Sequence, residues 1–328
     1  MMSNNLNSSK RIELYKSMLR IRFFEEKIIE LYPQQQMKTP VHLCIGQEAI
    51  AAGVCFSMHN DDTIFSTHRN HGHCLARGMS YYRLLAEFHG RITGCSGGKG
   101  GSMHPVSPEH GILGTTAIVG GNIPLAVGAA LTYQMMGKDS LSVAFFGDGA
   151  SEEGTFHESL NFAVLKSLPV LFVCENNLYA TASPISQRQP EGSSITQRAK
   201  SFGIEAHQVD GNDLEAVHLL AESCIAKTRQ GKGPIFIEAM TYRWKSHVGP
   251  TDDTDTGHRP ADELSFWQKK CPVLSFRDVS LSEDIWSLTA EQRYLDSLAH
   301  EFSQALDQSL KDPFPSEDDL MSNLFTEH

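Results

Sequence analysis

Two oxygen-bearing side chains stand at equivalent points of the sequence, each just after a short apolar run. Asp148 follows Leu141 to Phe146, inside Gly147-Asp148-Gly149, and Asn177 follows Pro169 to Cys174, inside Asn176-Asn177. A carboxylate, a carboxamide and nearby loop carbonyls are hard oxygen ligands suited to Mg²⁺, an ion that usually also takes phosphate oxygens. Gly149 lets the backbone approach such phosphates, and the helix predicted from about Thr155 to Lys166 offers free N–H groups at its start. The chemistry indicated is a metal-diphosphate site. Taken singly, an Asp-Gly or Asn-Asn pair is usually a turn. Apolar strands before both, with a helix between, favour the functional reading.

Basic and imidazole groups cluster elsewhere. The run Thr67-His68-Arg69-Asn70-His71-Gly72-His73 offers three histidines, but they do not share one helical face and no acidic or thiol ligand accompanies them at metal-site spacing. Arg69 reads as an anion clamp, with the histidines as neutral donors or walls of a site. Gly94 to His104 is glycine-rich but fails the phosphate-loop pattern, because Gly100 follows Lys99 where Ser or Thr is needed. A flexible loop near an active-site mouth and a purely structural turn both remain open for it.

The elements that must hold these residues follow from the periodicity. Strand, loop, helix, strand over residues 141–174 makes a crossover that sets two strands parallel in one sheet. Asp148 and Asn177 then lie past the carboxyl ends of those strands, where ligands of open parallel sheets bind. Asp61 to Phe65, Glu205 to Val209 and Pro234 to Thr241 suggest further strands, and a helix from the N-cap Asp213 to Gly231 joins the last two. His247 leaves the last strand on the same edge as Asp148, in a long polar loop over 242–260 of the kind that is often functional or mobile. Residues 10–32 read as an amphipathic packing helix stopped by Pro33, and Ser282 to Lys311 as a C-terminal helix. Gly128, inside the small-residue helix that Gly120 to Pro124 opens, costs about 1 kcal/mol relative to Ala. That cost points to a tight helix–helix contact, within the fold or between subunits. The simplest partition is an α/β domain over 1–280 with an N-terminal helical extension, and a C-terminal helical extension over 281–328.

Composition limits the alternatives. The chain has 328 residues, enough to bury a sizeable core, and a net charge of −11, which argues against a general nucleic-acid binder. No apolar run reaches membrane-spanning length, and Met1 to Ser9 has no apolar signal core. The seven cysteines are scattered without a Cys-x-x-Cys pair, so neither a disulfide framework nor a zinc ribbon is suggested. These features together suggest a cytoplasmic protein.

The motifs, taken together, resemble one family. Gly147-Asp148-Gly149 with Asn176-Asn177 is similar to the thiamine diphosphate motif. His42 to Glu48, Thr67 to His73, Gly98 to His104, Ile118-Val119-Gly120 and Tyr242-Arg243-Trp244 with His247 narrow the resemblance. It is to the α subunit of the first component of 2-oxo acid dehydrogenase complexes (pyruvate and branched-chain types) and of acetoin dehydrogenase, over residues 10–260. The resemblance implies a thiamine diphosphate-binding fold with a parallel sheet flanked by helices. It also implies that Asp148, Asn177 and the Tyr179 carbonyl hold Mg²⁺. Arg69, Gly149, Ala150 and His247 would hold the diphosphate with His68 near it. The backbone of Ala117, Ile118 and Val119 would face the aminopyrimidine, and His42 and His247 would line the reaction channel as catalytic groups. The carboxylate that activates the aminopyrimidine would come from a β subunit in an α₂β₂ heterotetramer, because too few residues precede Gly147 for a second cofactor domain. The acyl group would pass to a lipoyl-bearing acyltransferase.

Four departures from the family pattern matter. Val248 stands where phosphorylated members carry serine, and His68 stands where pyruvate-type members often have tyrosine and acetoin-type sequences histidine. Ala117 replaces a common glycine, and the acidic loop Thr251 to Thr256 differs from the usual Ser-Asp-Pro. The expected function is oxidative decarboxylation of a pyruvate-like 2-oxo acid, with acetoin cleavage or a non-catalytic thiamine diphosphate-binding paralogue as alternatives. A nicotinamide dehydrogenase is set aside because no Gly-x-Gly-x-x-Gly follows a first strand.

Overall fold

The structure, a computed structural model, describes residues 6–254 and 257–322. Six strands form one parallel sheet: β1 (Thr63–Thr67), β2 (Ile112–Thr116), β3 (Ser142–Gly147), β4 (Val170–Asn176), β7 (Glu205–Asp210) and β8 (Ile235–Met240). A two-residue antiparallel ladder, β5 (Tyr179–Ala180) with β6 (Ser183–Pro184), follows β4 in the chain. The sheet order is β2-β1-β3-β4-β8-β7, with β3, β4 and β8 central.

Alternation along the central strands builds the two faces. Val143, Phe145, Leu171, Val173, Ile235 and Ile237 belong to one core. Ala144, Phe146, Phe172, Cys174 and Phe236 belong to the other. A strand buried on both faces reads as a continuous apolar run, which is why β3, β4 and β8 are legible. The first face carries α1 (Ser8–Leu31), α2 (Glu48–Phe56), α3 (His71–Ala76) and α4 (Tyr81–Phe88). The second carries α5 (Asn122–Met135), α6 (Gly154–Lys166) and α8 (Ile195–Ser201), while α7 is the single turn Ile185–Arg188. The first face also takes α9 (Leu214–Lys227), capped by Asp213 Oδ1 on Ala216 N at 3.0 Å. After it come α10 (Ala261–Gln268), α11 (Pro272–Ser282) and α12 (Leu288–Lys311).

Two expectations are revised. The helix expected over Ser282 to Lys311 is α12, which starts only at Leu288, where the Ser287 side chain caps Ala290 N, because a separate helix, α11, ends at Ser282. Leu298, Phe302 and Ala305 of α12 join the first core. Gly128 has nothing within 4 Å of where a Cβ would stand, so its helix makes no tight contact there within the fold. Leu125 on the same helix is 53% exposed. Among the described residues, no helix is long and apolar enough to cross a membrane.

Candidate active site

Five of the six parallel strands deliver a candidate residue at their carboxyl ends. His68 and Arg69 follow β1, Ala117 to Val119 follow β2, Asp148 follows β3, Asn177 follows β4, and His247 lies in the loop after β8. All of them line one cleft, joined by His42, Gly149, Ala150 and Tyr179. The structure thus brings together every residue expected at the site, at the edge where a parallel sheet places its ligands. Ala117, Ile118 and Val119 stand exposed on the rim, Ile118 at 72% and Val119 at 50%.

The backbone explains why His42 and His247, distant in sequence, meet. Trp244 N donates to Ile45 O at 3.0 Å and Gly249 N to Val41 O at 2.8 Å, which straps the 242–260 loop to residues 41–45. Gly46 makes that strap possible. It has φ +100°, and a Cβ there would meet Tyr242 O at 2.4 Å and the Trp244 ring at 2.6 Å. Farther along, Arg259 Nε donates to Asp253 Oδ1 at 2.6 Å, and Arg243 donates to Asp253 at 3.3 Å and to the Thr181 carbonyl at 2.5 Å. Both guanidinium groups are buried, so the loop is pinned where mobility was a possible expectation. Asp255 and Thr256, part of the divergent acidic stretch, lie outside the described residues.

Arg69 is buried, with Nη1 on the Leu43 carbonyl at 2.5 Å and Nη2 toward the His247 carbonyl at 3.4 Å. These carbonyls aim the guanidinium without neutralising it, which leaves it a positive centre inside the cleft. Burial, and next the Arg69 charge, push His42 to about 3, His68 to about 2 and His247 to about 4. The three imidazoles are therefore neutral at physiological pH. Their rings sit 4.6 to 5.2 Å apart, and one ring nitrogen of each lies within 4.8 Å of the others. That spacing suits a transition metal, yet the same cationic field that disfavours protonation also disfavours a dication. Proton handling is the better reading of the triangle.

The other two histidines of the 67–73 run have separate tasks. His71 bridges Glu25 at 2.5 Å and Ser102 Oγ at 3.0 Å, and His73 stacks on Phe145 and hydrogen-bonds Ser66. Glu25, from the helix read only as packing, also accepts from Cys44 N at 2.6 Å and so braces the strand of chain that carries His42. An acidic side chain at a core position of an amphipathic helix was the available signal.

The residues at Asp148 fit a small hard cation. Asp148 is fully buried; its Oδ2 accepts from Arg188, while its Oδ1 has no hydrogen-bond partner. A buried carboxylate oxygen without a partner is costly unless something else satisfies it. Burial raises the Asp148 carboxyl above its usual range, and Arg188 opposes that rise. Asn177 Nδ2 donates to Gln47 Oε1 at 3.3 Å and its Oδ1 accepts from Tyr179 N at 3.3 Å, which fixes the amide and leaves Oδ1 one lone pair for a ligand. Tyr179 follows at the start of β5, its hydroxyl on Glu263 at 2.6 Å. The donors on offer are all oxygens, the set that suits Mg²⁺. Gly149 lies inside a 3₁₀ turn, Asp148–Glu152, that precedes α6, and a Cβ on it would come within 2.9 Å of the Ala180 side chain. Arg188 lies in no motif of the sequence, and Gln47, though inside the His42 to Glu48 motif, carries no sequence sign of its contact with Asn177; only tertiary placement shows either brace.

A family model described as dehydrogenase E1 component matches residues 15–317. Among characterised proteins, the chain is 40% identical to the α subunit of acetoin:2,6-dichlorophenolindophenol oxidoreductase from Bacillus subtilis (strain 168), over 99% of this chain and 96% of that protein. It is 36% identical to the pyruvate dehydrogenase E1 component α subunit of Rhizobium meliloti (strain 1021), over 95% and 89% of the two chains. The acetoin-type α subunit of Cupriavidus necator is 35% identical over 98% and 96%. The cleft with its oxygen ligands, buried arginine and three histidines therefore belongs to a member of the dehydrogenase E1 component family.

Proposed function

We propose that this chain is the α subunit of a thiamine diphosphate- and Mg²⁺-dependent oxidoreductase. It would work with a β subunit in an α₂β₂ assembly and deliver its acyl product to a lipoyl-bearing acyltransferase. The observation that carries the reading is the unpartnered Asp148 Oδ1 in the same cleft as Arg69 and three neutral imidazoles. The exposed Ile118 and Val119 on the rim, with Leu125 of α5 and Leu165 of α6 at 53% and 72% exposure, support a partner surface. All seven cysteines are free, which supports a reducing, cytoplasmic setting.

When bound, the cofactor supplies a carbanion that adds to a carbonyl carbon and then stabilises the charge left after bond cleavage. Asp148, Asn177 and the Tyr179 carbonyl would hold the metal. Arg69, with the backbone of Gly149 and Ala150, would hold the diphosphate anion, and His68 would lie beside it. Ala117, Ile118 and Val119 would position the aminopyrimidine through their backbone. His42 and His247 would accept and return the substrate's protons, since neutral imidazoles keep a lone pair available. A bound diphosphate would oppose the Arg69 field and raise both pKa values toward the working range.

Two substrates suit this machinery, a pyruvate-like 2-oxo acid and acetoin. His68 is the acetoin-type residue, and acetoin-type α subunits stand among the relatives in both Bacillus and Cupriavidus. Co-expression with a β subunit, followed by thiamine- and Mg²⁺-dependent dye reduction, tests the reading. Acetoin turnover releases acetaldehyde, and 2-oxo acid turnover releases carbon dioxide. Cofactor binding without either product would leave only the non-catalytic paralogue.

A further inference from the structure

Arg188 lies outside every motif that identifies the site, yet it holds the carboxylate on which the metal reading depends. Its Nη2 donates to Asp148 Oδ2 and its Nη1 to Glu152, while its Nε donates to the Ser183 carbonyl at 3.1 Å. The guanidinium is mostly buried, with its side chain 12% exposed, and three contacts from two directions fix its plane. It is the last residue of α7, the turn directly after the β5–β6 ladder. Tyr179 opens that ladder, so one short segment carries both a proposed metal ligand and the brace on another.

The consequence concerns how Asp148 can bind. Both oxygens of a free carboxylate can approach one cation. Here Oδ2 is committed to Arg188, and only Oδ1, buried and unpartnered, is available. We infer that Arg188 is a positioning residue that restricts Asp148 to one-oxygen coordination and so selects Mg²⁺ over Ca²⁺. Mg²⁺ takes a small octahedral shell of single oxygens at 2.0–2.1 Å, whereas Ca²⁺ accepts six to eight oxygens, including both of one carboxylate. Asn177 is oriented from both ends of its amide, since Gln47 holds its nitrogen and Tyr179 N donates to its Oδ1 at 3.3 Å, which leaves that oxygen one lone pair. Each proposed side-chain ligand thus presents one oriented atom. A rigid set of single oriented oxygens is what Mg²⁺ requires and Ca²⁺ does not. This inference rests on the metal-site reading given under Proposed function.

The test is isothermal titration of thiamine diphosphate into the α/β assembly at graded Mg²⁺ or Ca²⁺, for wild type, Arg188→Gln, Arg188→Lys and Asp148→Asn. Loss of an outer-shell partner typically costs about tenfold or more in metal affinity. Arg188→Gln is therefore expected to raise the Mg²⁺ concentration for half-saturation at least about tenfold. Its Ca²⁺ value should stay or fall, because the freed oxygen allows two-oxygen binding. Arg188→Lys, which keeps the charge without the fork, should lie between. Equal weakening for both metals would mean that Arg188 only supports the fold locally, and unchanged values for both would mean that it does not act on the metal; either result overturns the inference. Asp148→Asn separates the underlying reading: if that variant keeps metal-dependent cofactor binding, the metal site itself is misassigned. Melting temperatures without metal confirm that each variant is folded.

Discussion

Two glycine-bearing turns of this chain look alike in sequence and do opposite things. In the 94–104 loop, the backbone N–H groups of Ser96, Gly98, Gly100 and Gly101 converge on the carboxylate of Glu87 at 2.7 to 3.0 Å. Glu87 is buried, and Cβ atoms at Gly94 and Gly98 would come within 2.3 to 2.6 Å of Glu87 and Arg91 atoms. The loop is an anion cradle whose anion is built in. At Gly147-Asp148-Gly149 the chain instead supplies a carboxylate, pairs one oxygen with Arg188 and leaves the other unpartnered. Glycine content signals only that backbone must approach something closely. Whether that partner is internal decides between scaffold and site.

The largest effect is expected where the anion is internal. Glu87→Gln keeps the shape of the side chain but replaces one acceptor oxygen with an amide NH2, a donor that faces backbone donors. Hydrogen bonds to a charged group contribute about 1.5–3 kcal/mol each. Losing two of the four should lower unfolding free energy by roughly 3 kcal/mol or more, read from chemical denaturation. A change under about 1 kcal/mol would show that the cradle tolerates an empty centre. Because Ser102 of this loop accepts from Asn70 through its carbonyl and contacts His71 through its hydroxyl, the variant should also loosen the Arg69 segment.

Asp148→Asn is the counter-experiment. It should cost less stability, since the Asn oxygen can still accept from Arg188 and the other position is already without a partner, but abolish Mg²⁺-dependent binding of thiamine diphosphate. If both variants lost stability equally and cofactor binding survived in the second, the contrast between the two turns would collapse. Next in size, His247→Ala should reduce acyl transfer to a lipoyl acceptor more than it reduces cofactor affinity, as measured by turnover against titration. Equal losses would recast His247 as a diphosphate anchor.

The comparison also explains what was legible. β3, β4 and β8 were readable because strands buried on both faces must be apolar throughout, and Asp148, Asn177 and His247 were readable because each follows such a run. The 94–104 loop left two readings open, and the sequence could not choose between them, because Glu87 sits in α4 with no local feature tying it to the glycines. The contacts of Arg188, and of Gln47 within the His42 to Glu48 motif, were invisible for the same reason: a brace is defined by what it touches across the fold. The histidine run misled in part. Adjacent imidazoles in sequence parted into three environments, and His68 found its neighbours in His42 and His247 instead.

The smallest expected effect is a pH dependence that separates the cleft from the scaffold. In the unfolded chain histidines titrate near 6.5. Folding holds His42, His68 and His247 at about 3, 2 and 4 through burial and the Arg69 charge. Between pH 6.5 and about 4 the unfolded chain therefore binds protons that the folded chain refuses. Stability present at pH 7 should fall as pH is lowered through that window. His42→Gln removes one such group, the most deeply buried of the three, and should make the decline of melting temperature between pH 7 and 5 shallower. Mg²⁺ with inorganic pyrophosphate should do likewise in the wild type, because an anion beside Arg69 raises the histidine pKa values. Glu87→Gln should lower the whole curve without changing its slope in this range. A His42→Gln slope identical to wild type would remove the imidazole cluster as the source of the acid sensitivity, and with it the electrostatic distinction between the open turn and the filled one.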